Sequence, residues 1–227
     1  EQQAVCSLHT GRQFLVVQRT ALINHCRGLL TEFGIIMPLG ADKVRRLFAE
    51  ILDDEQSTVP LLLKDLLQQH LQDLARLEQR IESIDKQLAE WAKTNQQAMT
   101  LLQMLGVGVI TATAFAAGVC DPKLFENGRQ FSAWIGLVPR QYSSGGKNKL
   151  GSITKTGDVY LRTMLAQGAR SIVFNAKKKN DPFSLWIQRL LERAGMNKTV
   201  IAVAAKQARI MWAIMAKNQD YQPERIC

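Results

Sequence analysis

Leu67-Gln-Gln-His-Leu-Gln-Asp-Leu-Ala-Arg-Leu-Glu-Gln-Arg-Ile-Glu-Ser-Ile-Asp-Lys-Gln-Leu-Ala-Glu-Trp91 is the clearest periodic stretch in the chain. Leu67, Leu74, Leu77, Ile81, Ile84, Leu88 and Trp91 fit a heptad, the last six spaced alternately by three and four, with His70 at a seam position. That spacing keeps an apolar seam in line along one face of a helix. Both signs of charge flank it, in Asp73, Arg76, Glu78, Arg80, Glu82, Asp85 and Lys86, as on a solvated helix pair. No Gly or Pro follows Pro60 before Gly106, so one helix of about 45 residues, roughly 68 Å long at 1.5 Å per residue, is expected. It reads as a coiled-coil arm, its seam paired either with a second chain or with another helix of the same chain.

On the N-terminal side, residues 7–33 place Leu8, Phe14, Leu15, Val17, Leu22, Ile23, Leu29 and Leu30 at helical spacing. That predicts an amphipathic helix of about seven turns, stopped at Gly34, with Pro38 in the loop beyond. Residues 44–52 predict a shorter helix exposing Arg45 and Arg46 and ended by Asp53-Asp54-Glu55. Adjacent carboxylates there read as caps or solvated charge.

On the C-terminal side, Gly106-Val-Gly108 opens a helix of small residues that runs toward Ala117. A Gly-rich turn at a helix N-terminus exposes backbone N–H groups and a partial positive charge, which suits a phosphate. The same turn also suits close helix packing, and both readings stand. A dinucleotide site is disfavoured, because G-x-G-x-x-G is incomplete and no strand precedes it. Asp121-Pro122 begins a polar connector, and residues 131–137 predict a compact apolar helix containing Trp134. Residues 139–157 then read as a long loop or irregular hairpin with four Gly, five Ser or Thr, four basic residues and no acid. It is not a Walker A loop, since Lys155-Thr156 lacks the preceding Gly. Two helices are expected at 160–174 and 199–216, with the basic turn Lys177-Lys178-Lys179 between them. The fold class is mostly α, with strands close to nil.

Composition agrees with a globular chain: 227 residues, 46% apolar, large enough to bury a core without disulfide or metal staples. Cys6, Cys26, Cys120 and Cys227 are scattered without a C-x-x-C pair, and His9, His25 and His70 lie apart from them, so a zinc site is not expected. The apolar stretch 101–120 is interrupted by Gln103 and by several Gly and Thr, a poor membrane span. No signal peptide is visible, and a cytoplasmic, bacterial location is expected. Charge is unevenly placed: residues 1–105 hold 11 basic and 13 acidic side chains, net −2, whereas 106–227 hold 18 and 7, net +11. A surplus on one half attracts phosphate polyanions, because neutralised phosphates release condensed counterions. Nucleic acid is the expected partner.

The segments, taken in order, resemble the DEDD-type insertion-sequence transposases, the family that includes the Piv site-specific invertase and the bridge-RNA-guided recombinases. The N-terminal helix, through Arg19-Thr-Ala-Leu-Ile-Asn24 and Arg27-Gly-Leu-Leu30, is similar to the helical segment after their RuvC-like domain. The second half resembles their C-terminal transposase domain. The motifs are Gly106-Val-Gly108, Phe131-Ser-Ala-Trp-Ile-Gly-Leu-Val-Pro-Arg140, Ser144-Gly-Gly146, Ile153-Thr-Lys-Thr-Gly157 and Tyr160-Leu-Arg162. The organisation expected is a helical segment at 1–59, a coiled-coil helix at 60–104 and the C-terminal transposase domain at 105–227.

The resemblance implies that a serine attacks a DNA phosphodiester and forms a phosphoserine link, assisted by Mg²⁺ on four carboxylates of the RuvC-like domain. Ser144 matches that serine, with Ser143 as the weaker candidate. Gly106, Gly108, Arg140, Lys147, Lys149, Lys155 and Arg162 are candidates for nucleic-acid contact. No metal ligands are expected in this chain, whose carboxylates form no such cluster, and the RuvC-like domain would precede Glu1. The chain alone is expected to bind nucleic acid without completing strand cleavage. DNA is implied as substrate, a guide RNA as partner, and a dimer or tetramer through the coiled coil as the assembly, with no membrane. The competing reading is a non-enzymatic coiled-coil module whose basic half clamps DNA or RNA.

Overall fold

The computed structural model describes residues 1–37, 40–54, 59–143 and 149–222, apart from the side chains of Ala41 and Asp42. They are mostly helical and form two compact units, one of residues 7–87 and one of residues 1–6 with 88 onward.

In the first unit, α1 (Gln2–Glu32), α2 (Ala41–Asp53) and α3 (Leu61–Thr94) supply the helices. Leu67, Leu74 and Ile81 of the heptad are buried, at 0%, 1% and 6% exposure. What meets the seam is α1 of the same chain, running antiparallel. Arg12 Nε and Nη2 donate to the two carboxylate oxygens of Asp85 at 2.5 and 3.2 Å, and the rings of His25 and His70 meet edge to face at 5.4 Å. Numbers rising along α1 as they fall along α3 give the direction. Within the chain, α1 thus covers the buried positions of the seam.

Each fully buried Leu contributes roughly 1.5–3 kcal/mol, against about 0–1 kcal/mol for a partly exposed ion pair such as Arg12–Asp85. The seam therefore holds the helices together and the ion pair marks their register. Val44, Phe48 and Ile51 of α2 pack with Cys26, Leu30 and Leu67, and Arg45 pairs with Glu78 at 2.7 Å.

The expected helix of about 45 residues breaks after Thr94. Asn95 adopts extended angles (φ −103°, ψ 110°), and its side chain accepts the Ala98 N–H at 2.9 Å, starting α4 (Gln96–Leu102). Asparagine offers the backbone this local alternative, so a run free of Gly and Pro still ends.

The second unit continues through α5 (Val109–Gly118), a 3₁₀ turn at Pro122–Leu124, α6 (Gly128–Trp134), β1 (Pro139–Gln141), β2 (Leu150–Ile153), α7 (Val159–Ala176), α8 (Pro182–Ala194) and α9 (Met196–Lys217). Its centre is α9, which packs against α4, α6, α7 and α8 and buries Val203, Ala204, Ala208 and Met211 completely. By length and composition α9 is also apolar enough to cross a membrane, but half of that stretch is buried inside the unit, as in a core helix.

Two sequence expectations change here. Residues 182–194, not expected to be helical, form α8. Asp181 accepts from Ser184 N and Oγ at 3.0 and 2.6 Å, Pro182 fits the first turn, and Gly195 ends the helix at φ 75°. The turn at Gly106 is a packing device: its φ is +74°, and a Cβ added at Gly168 of α7 would lie 2.3 Å from the Gly106 carbonyl oxygen. The α4–α5 corner and α7 thus touch backbone to backbone, which favours the close-packing reading of Gly106 over the phosphate one.

Candidate nucleic-acid interface

The 139–157 segment stands on the end of α6 and the start of α7. Asn127 caps α6 by accepting from Arg129 N and Gln130 N at 2.9 and 3.1 Å, and Phe131 and Ile135 anchor that helix in the core. Gly136 (φ +80°) then reverses the chain, the Leu137 N–H reaching back to Ser132 O at 3.1 Å. β1 and β2 follow as an antiparallel pair, with Pro139 opposite Ile153, Gln141 opposite Leu150, and an irregularity between. Beyond them the Tyr142 N–H donates to Lys149 O at 2.8 Å, so the ladder continues to this pair.

The base of the hairpin is locked by close backbone contact. A Cβ at Gly157 would fall 1.9 Å from Trp134 O, and one at Gly136 would fall 2.2 Å from Thr156 O. Both glycines have positive φ, and Lys155 between them sits at φ 57°, a conformation rare for a side-chain-bearing residue. Arg162 closes the base from α7: its Nη1 donates to Ile135 O at 2.9 Å and to Thr156 O at 2.8 Å. Asp158 accepts the Leu161 N–H at 2.9 Å and so caps α7.

Arg140, Lys149 and Lys155 are all exposed and lie on this one hairpin with no acid between 139 and 157. Arg140 sends Nη2 toward Thr154 O at 3.3 Å. Ser143 is exposed and its Oγ accepts from Gln141 Nε2 at 2.9 Å. Ser144 and Lys147 lie outside the described residues. Arg162 differs from the other candidates, because two carbonyls engage its Nη1; it holds the hairpin.

Gly108 is exposed at the start of α5, whereas Gly106 meets α7 at Gly168 and Ile172. Those positions lie six to ten residues beyond Arg162, about 9–15 Å along α7 at 1.5 Å per residue. The glycine turn and the hairpin base therefore touch different parts of α7.

The sequence reading missed the aromatic residues around the hairpin. Tyr142 is 60% exposed and lies against Gly151, and Trp134, 39% exposed, stacks on Phe131 at 5.8 Å beside Phe125. Aromatic residues interleaved with Arg and Lys were the signal available for them. Among the described residues, no group of three or more His, Cys, Asp or Glu is placed to hold a metal ion.

Residues 98–183, from α4 through the hairpin and α7 to the start of α8, match the family described as Transposase IS116/IS110/IS902. That stretch is similar to the transposase domain of this family. Over 98% of its length it is 42% identical to a "Probable family 20 transposase" of Pseudomonas aeruginosa, covering 66% of that protein. It is 40% identical, again over 98% of its length, to the "Transposase for insertion sequence element IS1111A" of Coxiella burnetii, covering 61% of it. A "Pilin gene-inverting protein" of Moraxella bovis is 25% identical over 56% of the chain and 39% of its own length. The chain thus spans roughly three fifths of the length of the curated transposases it matches. The matched region encloses the basic hairpin and both helices that lock its base, while α1, α2, α3 and α9 lie outside it.

Proposed function

We propose that this chain is part of a DNA transposase, presenting a serine on a basic hairpin to a DNA phosphodiester. The observation that carries the reading is the coincidence of the transposase-family region with a rigidly based, acid-free hairpin bearing Arg140, Lys149 and Lys155. In this reading Ser144 Oγ attacks phosphorus. An Oγ–P bond forms, the bond from phosphorus to one deoxyribose oxygen breaks, and the proton lost by the serine ends on the departing hydroxyl. The link formed is still a phosphodiester, so its energy is kept for rejoining. Ser143 is the weaker candidate. Arg140, Lys147, Lys149 and Lys155 stabilise charge on the phosphate, and fixed cations are most effective where the backbone beneath them does not reorganise. Arg162 acts indirectly, by holding that backbone.

A serine hydroxyl needs activation to attack a phosphate. The resemblance implies that Mg²⁺ on the carboxylates of a RuvC-like domain would supply that activation. A guide RNA remains a proposed partner that rests on the resemblance alone. A dimer or tetramer is proposed through outer faces of α1 and α3, where Phe14, Val17, Leu61 and Leu62 are exposed, since the seam itself is filled.

The test is DNA joining by the complete transposase. Ser144→Ala abolishes joining and leaves DNA affinity within about twofold, whereas Ser143→Ala still joins. Unimpaired joining by Ser144→Ala would leave the non-enzymatic, nucleic-acid-clamping reading in its place.

A further inference from the structure

A trough lined by none of the hairpin's residues lies between α8, α9 and the segment after α9, and encloses about 540 Å³. Its size falls in the range of roughly 300–1,000 Å³ typical of sites that hold a ligand the size of a nucleotide. Lys206, Arg209, Ile210 and Ala213 line it from one stripe of α9, and Trp186 of α8 forms a wall. Asn218, in the left-handed conformation (φ 49°), turns the chain back so that Gln219, Asp220 and Tyr221 form the other wall.

The trough combines an aromatic face, two cations and a hydrogen-bonding edge. Phe183, buried, stacks on Trp186 with rings 10° from parallel and centroids 5.7 Å apart, which fixes the indole. Lys206 Nζ lies 4.7 Å from the Trp186 centroid and 5.4 Å from that of Phe183. A cation resting on a ring face marks a face that packing has left open, and a base can take its place there while the long lysine swings to an adjoining phosphate. Arg209 Nε is engaged with Ala205 O at 3.2 Å, which steadies a guanidinium lining the same trough. The Asp220 carboxylate would repel a phosphate placed beside it, but it suits the amino or imino N–H groups on a base edge.

We propose that this trough binds one unpaired nucleotide of a single-stranded nucleic acid, its base stacked on Trp186 beside Asp220 and its phosphate held by Lys206 and Arg209. The proposal rests on the nucleic-acid reading above and deepens it, giving the protein a single-strand site separate from the hairpin. A duplex cannot enter in this way, because its bases are stacked on one another.

The experiment is fluorescence anisotropy with the 227-residue chain. The probes are labelled 12-nucleotide oligouridylate, oligothymidylate and a mixed-sequence duplex, at fixed low salt. Trp186→Leu weakens single-strand binding about tenfold and leaves duplex binding within about twofold, and Trp186→Phe keeps single-strand affinity within about threefold. Stronger binding of the RNA probe would add a ribose contact, and equal binding of both probes is the base-and-phosphate outcome; both support the proposal. Circular dichroism melts check that each variant folds. Should Trp186→Leu not fold, photocrosslinking of 4-thiouridine oligonucleotide to the unsubstituted chain decides, with the adduct expected at Trp186 or Tyr221. Unchanged single-strand affinity in a folded Trp186→Leu, or adducts only elsewhere, overturns this proposal while duplex binding keeps the wider reading. Failure to bind any of the three probes overturns both.

Discussion

Arg162 shows why a basic residue beside a loop need not face a phosphate. One of its nitrogens serves two carbonyls that belong to opposite sides of the hairpin base, Ile135 O and Thr156 O. The Ile135 carbonyl is partly buried and the Thr156 one exposed, and leaving the buried one without its donor costs about 1–3 kcal/mol. Arg162→Ala should therefore lower the melting temperature of the chain, whereas Arg140→Ala should lower DNA affinity with little effect on melting. Thermal melts and binding titrations of the two variants check this, and equal melting shifts would contradict it. His9 supplies a pH prediction at the same scale. Burial lowers its pKa from 6.5 to about 4, aided by nearby Arg12 and opposed by Asp85. The unfolded chain thus binds more protons in that interval, and stability present above pH 6.5 is lost as pH falls toward about 4. Melts between pH 7 and 4 should show this loss, and His9→Leu should flatten part of the slope.

At the scale of elements, the heptad was legible because seven-residue spacing admits few other readings. Its seam is filled within the chain, and Leu74→Ala should cost about 2–5 kcal/mol in urea unfolding, as for a buried leucine that leaves a cavity. A cost below about 1 kcal/mol would show that the seam is not packed as described. The end of that helix was not legible, because Asn95 acts through one side-chain bond to Ala98 and resembles any polar residue on a solvated face. Asn95→Ala should cost about 1 kcal/mol, the usual worth of such a cap. The helix α8 was hidden for a related reason: Lys177-Lys178-Lys179 drew attention as a basic turn, although Asp181-Pro182 beside it was a start signal and Gly195 a stop. In the candidate site, the basic residues and the glycines could be read from composition. Their division of labour could not, since Gly136 and Gly157 are required by contacts between segments about twenty residues apart in sequence, and Arg162 by carbonyls it meets only after folding.

For the whole molecule, the uneven charge was readable by counting, and the structure adds where part of it is presented. Arg140, Lys149 and Lys155 stand exposed on one hairpin held by α6 and α7, inside the region matched to the transposase family. The central claim is that this hairpin meets the DNA backbone. It is tested most directly by the salt dependence of duplex binding for the 227-residue chain and for the triple variant Arg140→Gln, Lys149→Gln, Lys155→Gln. Each phosphate neutralised contributes about −0.9 to the slope of log affinity against log salt, so the variant should bind more weakly with a slope shallower by up to about 2.7. A slope unchanged by removing all three charges would contradict the account and move the DNA-binding surface elsewhere on the chain.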